Sequence, residues 1–129
     1  MRKINLLIAF MAGGISLSAQ EKSEPLAFPG AEGFGKYTSG GRGGNVFYVT
    51  NLENDGAGSL RWAVRKKGPK TILFNVSGTI HLKSPLDINH DSITIAGQSA
   101  PGDGICIAGA PVKVKGSNII LRYLRFRMG

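Results

Sequence analysis

The chain has 129 residues, with 16 Lys and Arg against 8 Asp and Glu and a formal net charge of +8 with histidine neutral. Cys106 is its single cysteine, which excludes an intrachain disulfide and a cysteine-based zinc site. The basic balance admits an anionic polysaccharide, a cell envelope or nucleic acid as partner and does not choose among them.

Arg2 and Lys3 precede an apolar run from Leu6 to Ile15 and then small residues through Ser18 and Ala19, the pattern of a signal peptide over residues 1–19 cleaved after Ala19. The run is too short to anchor the chain in a bilayer, which takes about 20 apolar residues, and no cysteine follows it to accept a lipid. Without it, 110 residues remain, with 14 basic and 8 acidic side chains and a net charge of +6, enough for one modest domain. Residues 20–25 read as a polar spacer. Leu26 to Asn45 carries seven glycines, too many for a helix and suited to irregular loop structure, and "GGRGG" within it reads as a flexible loop rather than a phosphate cradle.

"VFYVT" (Val46 to Thr50) alternates as a strand. "GAGSLRWAVRKKG" predicts the one helix of the chain. Ser59 suits the N-cap, Leu60, Ala63 and Val64 recur at helical spacing, Lys66 and Lys67 fall in the last turn, and Gly68-Pro69 ends it. After Pro69 the chain reads as short strands of period two: "TILFNV", "TIHL", "LDI", "SITIAG", "GICIAG", "VKVKG" and "NIILRYLRFRM". Ile72, Phe74 and Val76 face one way, as do Ile93 with Ile95, Ile105 with Ile107, and Val112 with Val114. Strands this short are buried either in an antiparallel sandwich or barrel or in a parallel β-helix. The connections are irregular rather than two-residue hairpin turns, and Ile-x-Ile pairs recur at Ile72, Ile93 and about Ile119, at intervals of 21 and 26 residues. This favours coils without excluding the sandwich. In a coiled stack the helix would cap the open first end.

Conventional catalytic signatures are missing from the sequence. "DINHD" places Asp87, Asn89 and Asp91 at alternate positions like the start of a calcium loop, but Ser92 stands where the sharp turn needs glycine and Gln98 where a bidentate glutamate is needed, so the stretch reads as a turn between strands. Asp103 in "PGDG" is explained by an Asx bend. His81, in a strand, and His90, in a turn, have no adjacent partner, and Cys106, between two isoleucines, reads as a small buried side chain rather than a nucleophile. Asn75-Val76-Ser77 matches a glycosylation sequon that falls within a predicted strand, where a structural role is simpler. In "RYLRFRMG", an extended strand points Leu124 and Phe126 inward and Arg125 and Arg127 outward, about 6.5 to 7 Å apart, a spacing that meets successive carboxylates or phosphates or that of ordinary solvated arginines.

Four segments, "AFPGAEGFGKYTSGGRGG", "VTNLENDGAGSLRWAV", "ILFNVSGTIHLKSPL", and "ITIAGQSAPGDGICIAG" running into "IILRYLRFRMG", together resemble the N-terminal portion of an extracellular pectate lyase of the pectate lyase/pectin lyase class. The likeness runs from Leu26 to Gly129. It implies an all-β fold, a right-handed parallel β-helix with a short N-terminal capping helix, and β-elimination of de-esterified homogalacturonan assisted by calcium, with an arginine as base. It implies polygalacturonate or pectin as partner, no nucleic acid, no membrane span, a monomer when complete and a secreted location. The family's calcium-binding carboxylates, catalytic arginine and Trp-Ile-Asp-His-type segment follow the "RFRMG" region, and the only tryptophan here is Trp62. No catalytic or metal-binding residue is therefore carried over to this chain. The expectation is a domain from 26 to 129 lacking its C-terminal coils, inactive alone and poorly soluble. A pectin lyase that needs no calcium, or a non-catalytic β-helical adhesin or polysaccharide-binding module, is the alternative.

Overall fold

The computed structural model describes residues 23–128; the expected signal peptide, residues 20–22 of the spacer and Gly129 lie outside the described residues. Among the described residues nine strands and one α-helix follow in the order β1 (Asn45–Val49), α1 (Leu60–Arg65), β2 (Lys70–Phe74), β3 (Gly78–His81), β4 (Leu86–Ile88), β5 (Ile93–Ala96), β6 (Ile105–Ala108), β7 (Val112–Val114), β8 (Ile119–Arg122) and β9 (Leu124–Arg127), with short 3-10 turns at Phe34–Tyr37 and Gly97–Ser99. They form three sheets of order β1-β2-β5-β8, β3-β6-β9 and β4-β7. Every pairing is parallel. An antiparallel sandwich is thereby excluded, and the fold is a parallel β-helix.

The register shows how the coils are counted. Asn45, Lys70, Ile93 and Ile119 stand one above another, so the chain returns to the same place after 25, 23 and 26 residues. Ile72 pairs with Ile95 rather than with Ile93, which corrects the 21-residue interval read from the isoleucine pairs. The inward columns are Phe47-Ile72-Ile95-Leu121, Ile80-Ile107-Phe126 and Leu86-Val112. Ile72, Ile80, Ile93, Ile95, Ile105 and Leu86 are fully buried, each contributing roughly 1.5 to 3 kcal/mol by burial. The corners stack too, since the N–H groups of Lys70 and Ser92 donate to the carbonyls of Ser92 and Ser117 in the coil below, each at 3.0 Å. Such coil-to-coil bonds satisfy backbone groups that a buried turn would otherwise orphan.

The helix forms where its cap predicts. The Trp62 N–H donates to Ser59 Oγ at 3.2 Å, and the hydroxyl donates in turn to the Gly56 carbonyl at 2.7 Å. It is six residues long, ends before Lys66, and buries Leu60, Ala63 and Val64 against the isoleucine core. Trp62 meets Phe47 edge to face at 5.9 Å. Because α1 follows β1 and packs on β1 and β4, it covers the first end of the stack.

Two buried cations hold this cap. Arg61, 5% exposed, donates from Nε to the Asn54 carbonyl (3.0 Å), from Nη1 to the Pro85 carbonyl (2.8 Å), and from Nη2 to the Ser84 carbonyl (2.7 Å) and Asn54 Oδ1 (3.3 Å). Lys70 faces inward at the start of β2, fully buried, and its Nζ donates to the Lys66 and Gly68 carbonyls at the helix end. That placement suits the negative end of the helix, yet burial lowers the Lys70 pKa below 10.5 because it penalises the charged form. The unfolded chain therefore binds more protons between the lowered value and 10.5, and stability should rise with pH across that window. Lys70→Met is expected to flatten this rise, measured as the difference between the two proteins' urea-unfolding free energies at successive pH values. Identical slopes would refute it.

Three further sequence readings need correction. "NIILRYLRFRM" is two strands, because Tyr123 turns the chain through a left-handed corner (φ 55) between β8 and β9. The "GGRGG" stretch is packed rather than loose: the N–H of Gly41 donates to Thr94 Oγ1 at 2.9 Å, and those of Ser39 and Gly40 donate to Asn118 Oδ1 at 2.9 and 3.2 Å. Residues 39–41 thus lie across β5 and β8 and bury Ile120 from outside. Finally, β2 ends at Phe74, so Asn75 is exposed beyond the strand and Val76 only half-buried.

Candidate functional site

The side chains able to do chemistry lie on the outer faces of the coils, because the inner columns are apolar apart from Lys70. On the β3-β6-β9 sheet, Thr79, Cys106 and Arg125 share one outward column and His81, Ala108 and Arg127 the next. On the β4-β7 sheet Asp87 pairs with Lys113. Strand alternation sets all of these directions.

Arg125 and Arg127 are both exposed, and Arg125 Nη2 donates to the Asp103 carbonyl at 2.7 Å, which fixes it over the turn that the Gly104 N–H closes on the Pro101 carbonyl at 3.3 Å. Leu124 is half-buried against the core, whereas Phe126, though in an inward column, is 50% exposed because no coil among the described residues covers it. With Leu121, Val112 and Met128 it lines an apolar hollow of about 310 Å³ at that end of the stack. Cys106 is buried as expected for a small packed side chain.

The carboxylates do not converge. Asp87 lies on β4 rather than in the turn and takes Lys115 Nζ at 3.0 Å; this hydrogen bond, followed by the nearby charge of Lys113 and Arg61, keeps its carboxyl below the usual aspartate value against the opposing effect of desolvation. Its Oδ1 has no hydrogen-bond partner. Asp91 Oδ1 accepts the Ser117 N–H at 2.6 Å and so ties the corner 89–92 to the coil below. Asp55 accepts the Gly56 N–H at 2.8 Å and pairs with Arg65 at 3.1 Å, and the first of these bonds is the main reason its pKa is lowered. Each of these three carboxylates is engaged by its own backbone N–H or cation, Asp87 through Oδ2 alone. Among the described residues no three His, Cys, Asp or Glu side chains gather as metal ligands, so these carboxylates do not fit a calcium ion, which takes six to eight oxygens. "DINHD" works as a strand end and a corner.

Neither Arg61 nor Lys70 stands out as buried in the sequence alone, although the period-two pattern of β2 does put Lys70 on the face of Ile72 and Phe74. A second feature, the Arg122 guanidinium 3.9 Å from the centre of the Phe28 ring, joins residues far apart in the chain and carries no local signal. Among the described residues no helix is long and apolar enough to cross a membrane.

No family model matches the chain. Over 105 residues, 81% of the chain, it is 49% identical to a probable pectate lyase C of Emericella nidulans, of which the match covers 24%. Over 118 residues, 89% of the chain, it is 43% identical to a probable pectate lyase C of Aspergillus fumigatus, covering 28% of that protein. A pectate lyase of Lilium longiflorum is 40% identical over 74 residues, 54% of this chain and 17% of the plant protein. The chain thus spans about a quarter of the length of the fungal relatives.

Proposed function

The chain belongs to the pectate lyase family, and from that premise we propose that it is the N-terminal part of a secreted enzyme that cleaves polygalacturonate by calcium-assisted β-elimination. The observation that carries this reading is identity of 43 to 49% to probable pectate lyases over 81 to 89% of the chain, on a fold whose coils stack in the parallel sense such an enzyme needs.

In this reading the residues described here found the stack. The α1 cap closes its first end, and the registered columns set the direction in which further coils add. The outward basic residues suit a polyanionic substrate. The carboxylates for calcium and the base belong to other coils, so this stretch alone is inactive. The elimination removes the proton at C5 of a uronate, forms the C4–C5 double bond from that electron pair, and expels O4, which takes up a proton. An arginine base has an intrinsic pKa above about 12 and must sit where its neutral form is favoured.

The test is to incubate polygalacturonate with the 129-residue chain and with the longest product of its gene, with calcium and with a chelator, and to follow the absorbance of the unsaturated end. The proposal expects product only from the longer protein with calcium. Product formed equally well in chelator would assign a pectin lyase-like reaction, and binding without product would assign a non-catalytic module.

A further inference from the structure

Read backwards from β1, the glycine-rich segment runs along the outside of the stack as a strap. Gly44 lies against the Pro69 carbonyl at the start of the second coil, the Gly41 N–H donates to Thr94 Oγ1 in the third at 2.9 Å, and those of Ser39 and Gly40 donate to Asn118 Oδ1 in the fourth, just before β8. Between Gly44 and Ser39 the strap thus passes from the second coil to the fourth. It covers apolar surface as it goes, because Ile120 faces outward in register with Thr94 yet is buried beneath Gly40.

Upstream of Ser39 the chain forms a loop with both ends on this fourth coil. One end is Ser39 on Asn118; at the other, the Phe28 ring stacks on the Arg122 guanidinium at the end of β8. The Ala27 N–H closes the base of the loop on the Lys36 carbonyl at 2.7 Å. Between these ends the turn Phe34–Tyr37 leaves Phe34 fully exposed and Tyr37 about half exposed, and the two line an open hollow of about 460 Å³ with Gly33 and Lys36. β8 is the edge of its sheet among the described residues, paired with β5 alone. Large apolar side chains left in water on a loop anchored to an edge coil mark an interaction surface.

We propose that this loop continues the strap by one more coil, with Phe34 and Tyr37 covering the outward face of the strand that pairs with β8 in the longer protein, as Gly40 covers Ile120. The occupant rests on the reading above of this chain as the N-terminal part of a longer enzyme, and two observations support it. The chain spans about a quarter of the length of its fungal relatives, and the strap already advances coil by coil toward that end, whereas α1 covers the other. Val46, Thr71, Thr94 and Ile120 make up the outward column along the strap, so the fifth member is expected to be β-branched or apolar. The change from glycine at 40, 41 and 44 to Phe34 and Tyr37 fits a strap that meets these coils through its backbone and the next through side chains.

The experiment places the photo-crosslinker benzoylphenylalanine at position 34 of the longest product of the gene and maps the joined peptide by mass. With returns of 23 to 26 residues per coil, the cross-link is expected within about 30 residues after Gly129, the length of one coil. In the same protein Phe34→Cys should react with a maleimide about tenfold more slowly than Lys67→Cys, an exposed position at the capped end; in the 129-residue chain the two should react alike. Phe34→Ser should lower the unfolding midpoint of the longer protein by about 2 to 4 °C and leave that of the 129-residue chain unchanged. Equal labelling at both positions in the longer protein, a cross-link to a later segment or to a second copy, an unchanged midpoint, or a gene product that ends at Gly129 would each overturn the proposal. A longer protein that yields no unsaturated product would sink the lyase reading and leave this one standing, and an active lyase with Phe34 freely labelled would do the reverse.

Discussion

Arg61→Ala should destabilise the fold by about 3 kcal/mol or more. The side chain is nearly inaccessible and its guanidinium satisfies the carbonyls of Asn54, Ser84 and Pro85 together with Asn54 Oδ1. Truncation leaves the three carbonyls without this donor, while Asn54 Oδ1 keeps the Lys83 N–H at 2.8 Å, and a buried unsatisfied group costs about 1 to 3 kcal/mol. Removing the buried charge recovers part of its own desolvation cost, which is why about 3 kcal/mol and not the full sum is expected. Against a domain stability of about 5 to 15 kcal/mol, that is a large fraction. The damage should extend beyond α1, because Ser84 and Pro85 lie between β3 and β4, and losing the clamp uncovers the first edge of the stack, a template for aggregation. Arg61→Lys should rescue little, since one ammonium cannot address carbonyls on both sides of a planar fork. Urea unfolding checks this; an Arg61→Ala protein within about 0.5 kcal/mol of wild type, or a lysine variant equal to arginine, would show that the clamp contributes nothing.

Gly41→Ala should cost about 3 kcal/mol, the upper end of overpacking penalties. A Cβ there would stand 1.9 Å from the Lys70 carbonyl oxygen and 2.3 Å from its carbon, both backbone atoms of β2 that cannot move aside without breaking the sheet. The segment has to lift instead, losing the Gly41 N–H bond to Thr94 Oγ1 and uncovering Ile120. Gly35→Ala is the control. Its nearest neighbour is the Thr38 hydroxyl at 3.6 Å, so a change within about 0.5 kcal/mol is expected. Thermal melts give the stability difference, and hydrogen exchange at β8 locates it. Equal stability of the two alanine variants would mean that the glycines serve chain entropy alone.

These expectations also mark how much was legible beforehand. The helix was readable from Ser59, Leu60, Ala63, Val64 and Gly68-Pro69, and it forms with Ser59 as its cap. Strands such as "LDI" and "GICIAG" were readable from period-two alternation and appear as β4 and β6. The four family-like segments made the fold and the family legible together. The end of β2 before Asn75 and the break at Tyr123 were not, because both strands keep an apolar alternation through the point where the chain turns. The site was the least legible part, since the carboxylates of "DINHD" were placed by spacing but their partners, Lys115 and the Ser117 N–H, come from the next coil.

The sequence by itself determined where the helix and most strands fall, though not the strand ends at Asn75 and Tyr123, and which side of each strand is apolar, because those choices depend on neighbours a few positions away. Only the tertiary structure decided that Ile72 stands over Ile95, that Lys70 and Arg61 are buried among carbonyls, and that Phe28, Arg122 and Tyr123 share one surface. The contacts of Ile72 with Ile95, of Arg61 with Ser84 and Pro85, and of Arg122 with Phe28 join residues 23 to 94 positions apart, and their energies depend on the register in which one coil settles on the next, a quantity no local stretch of chain encodes.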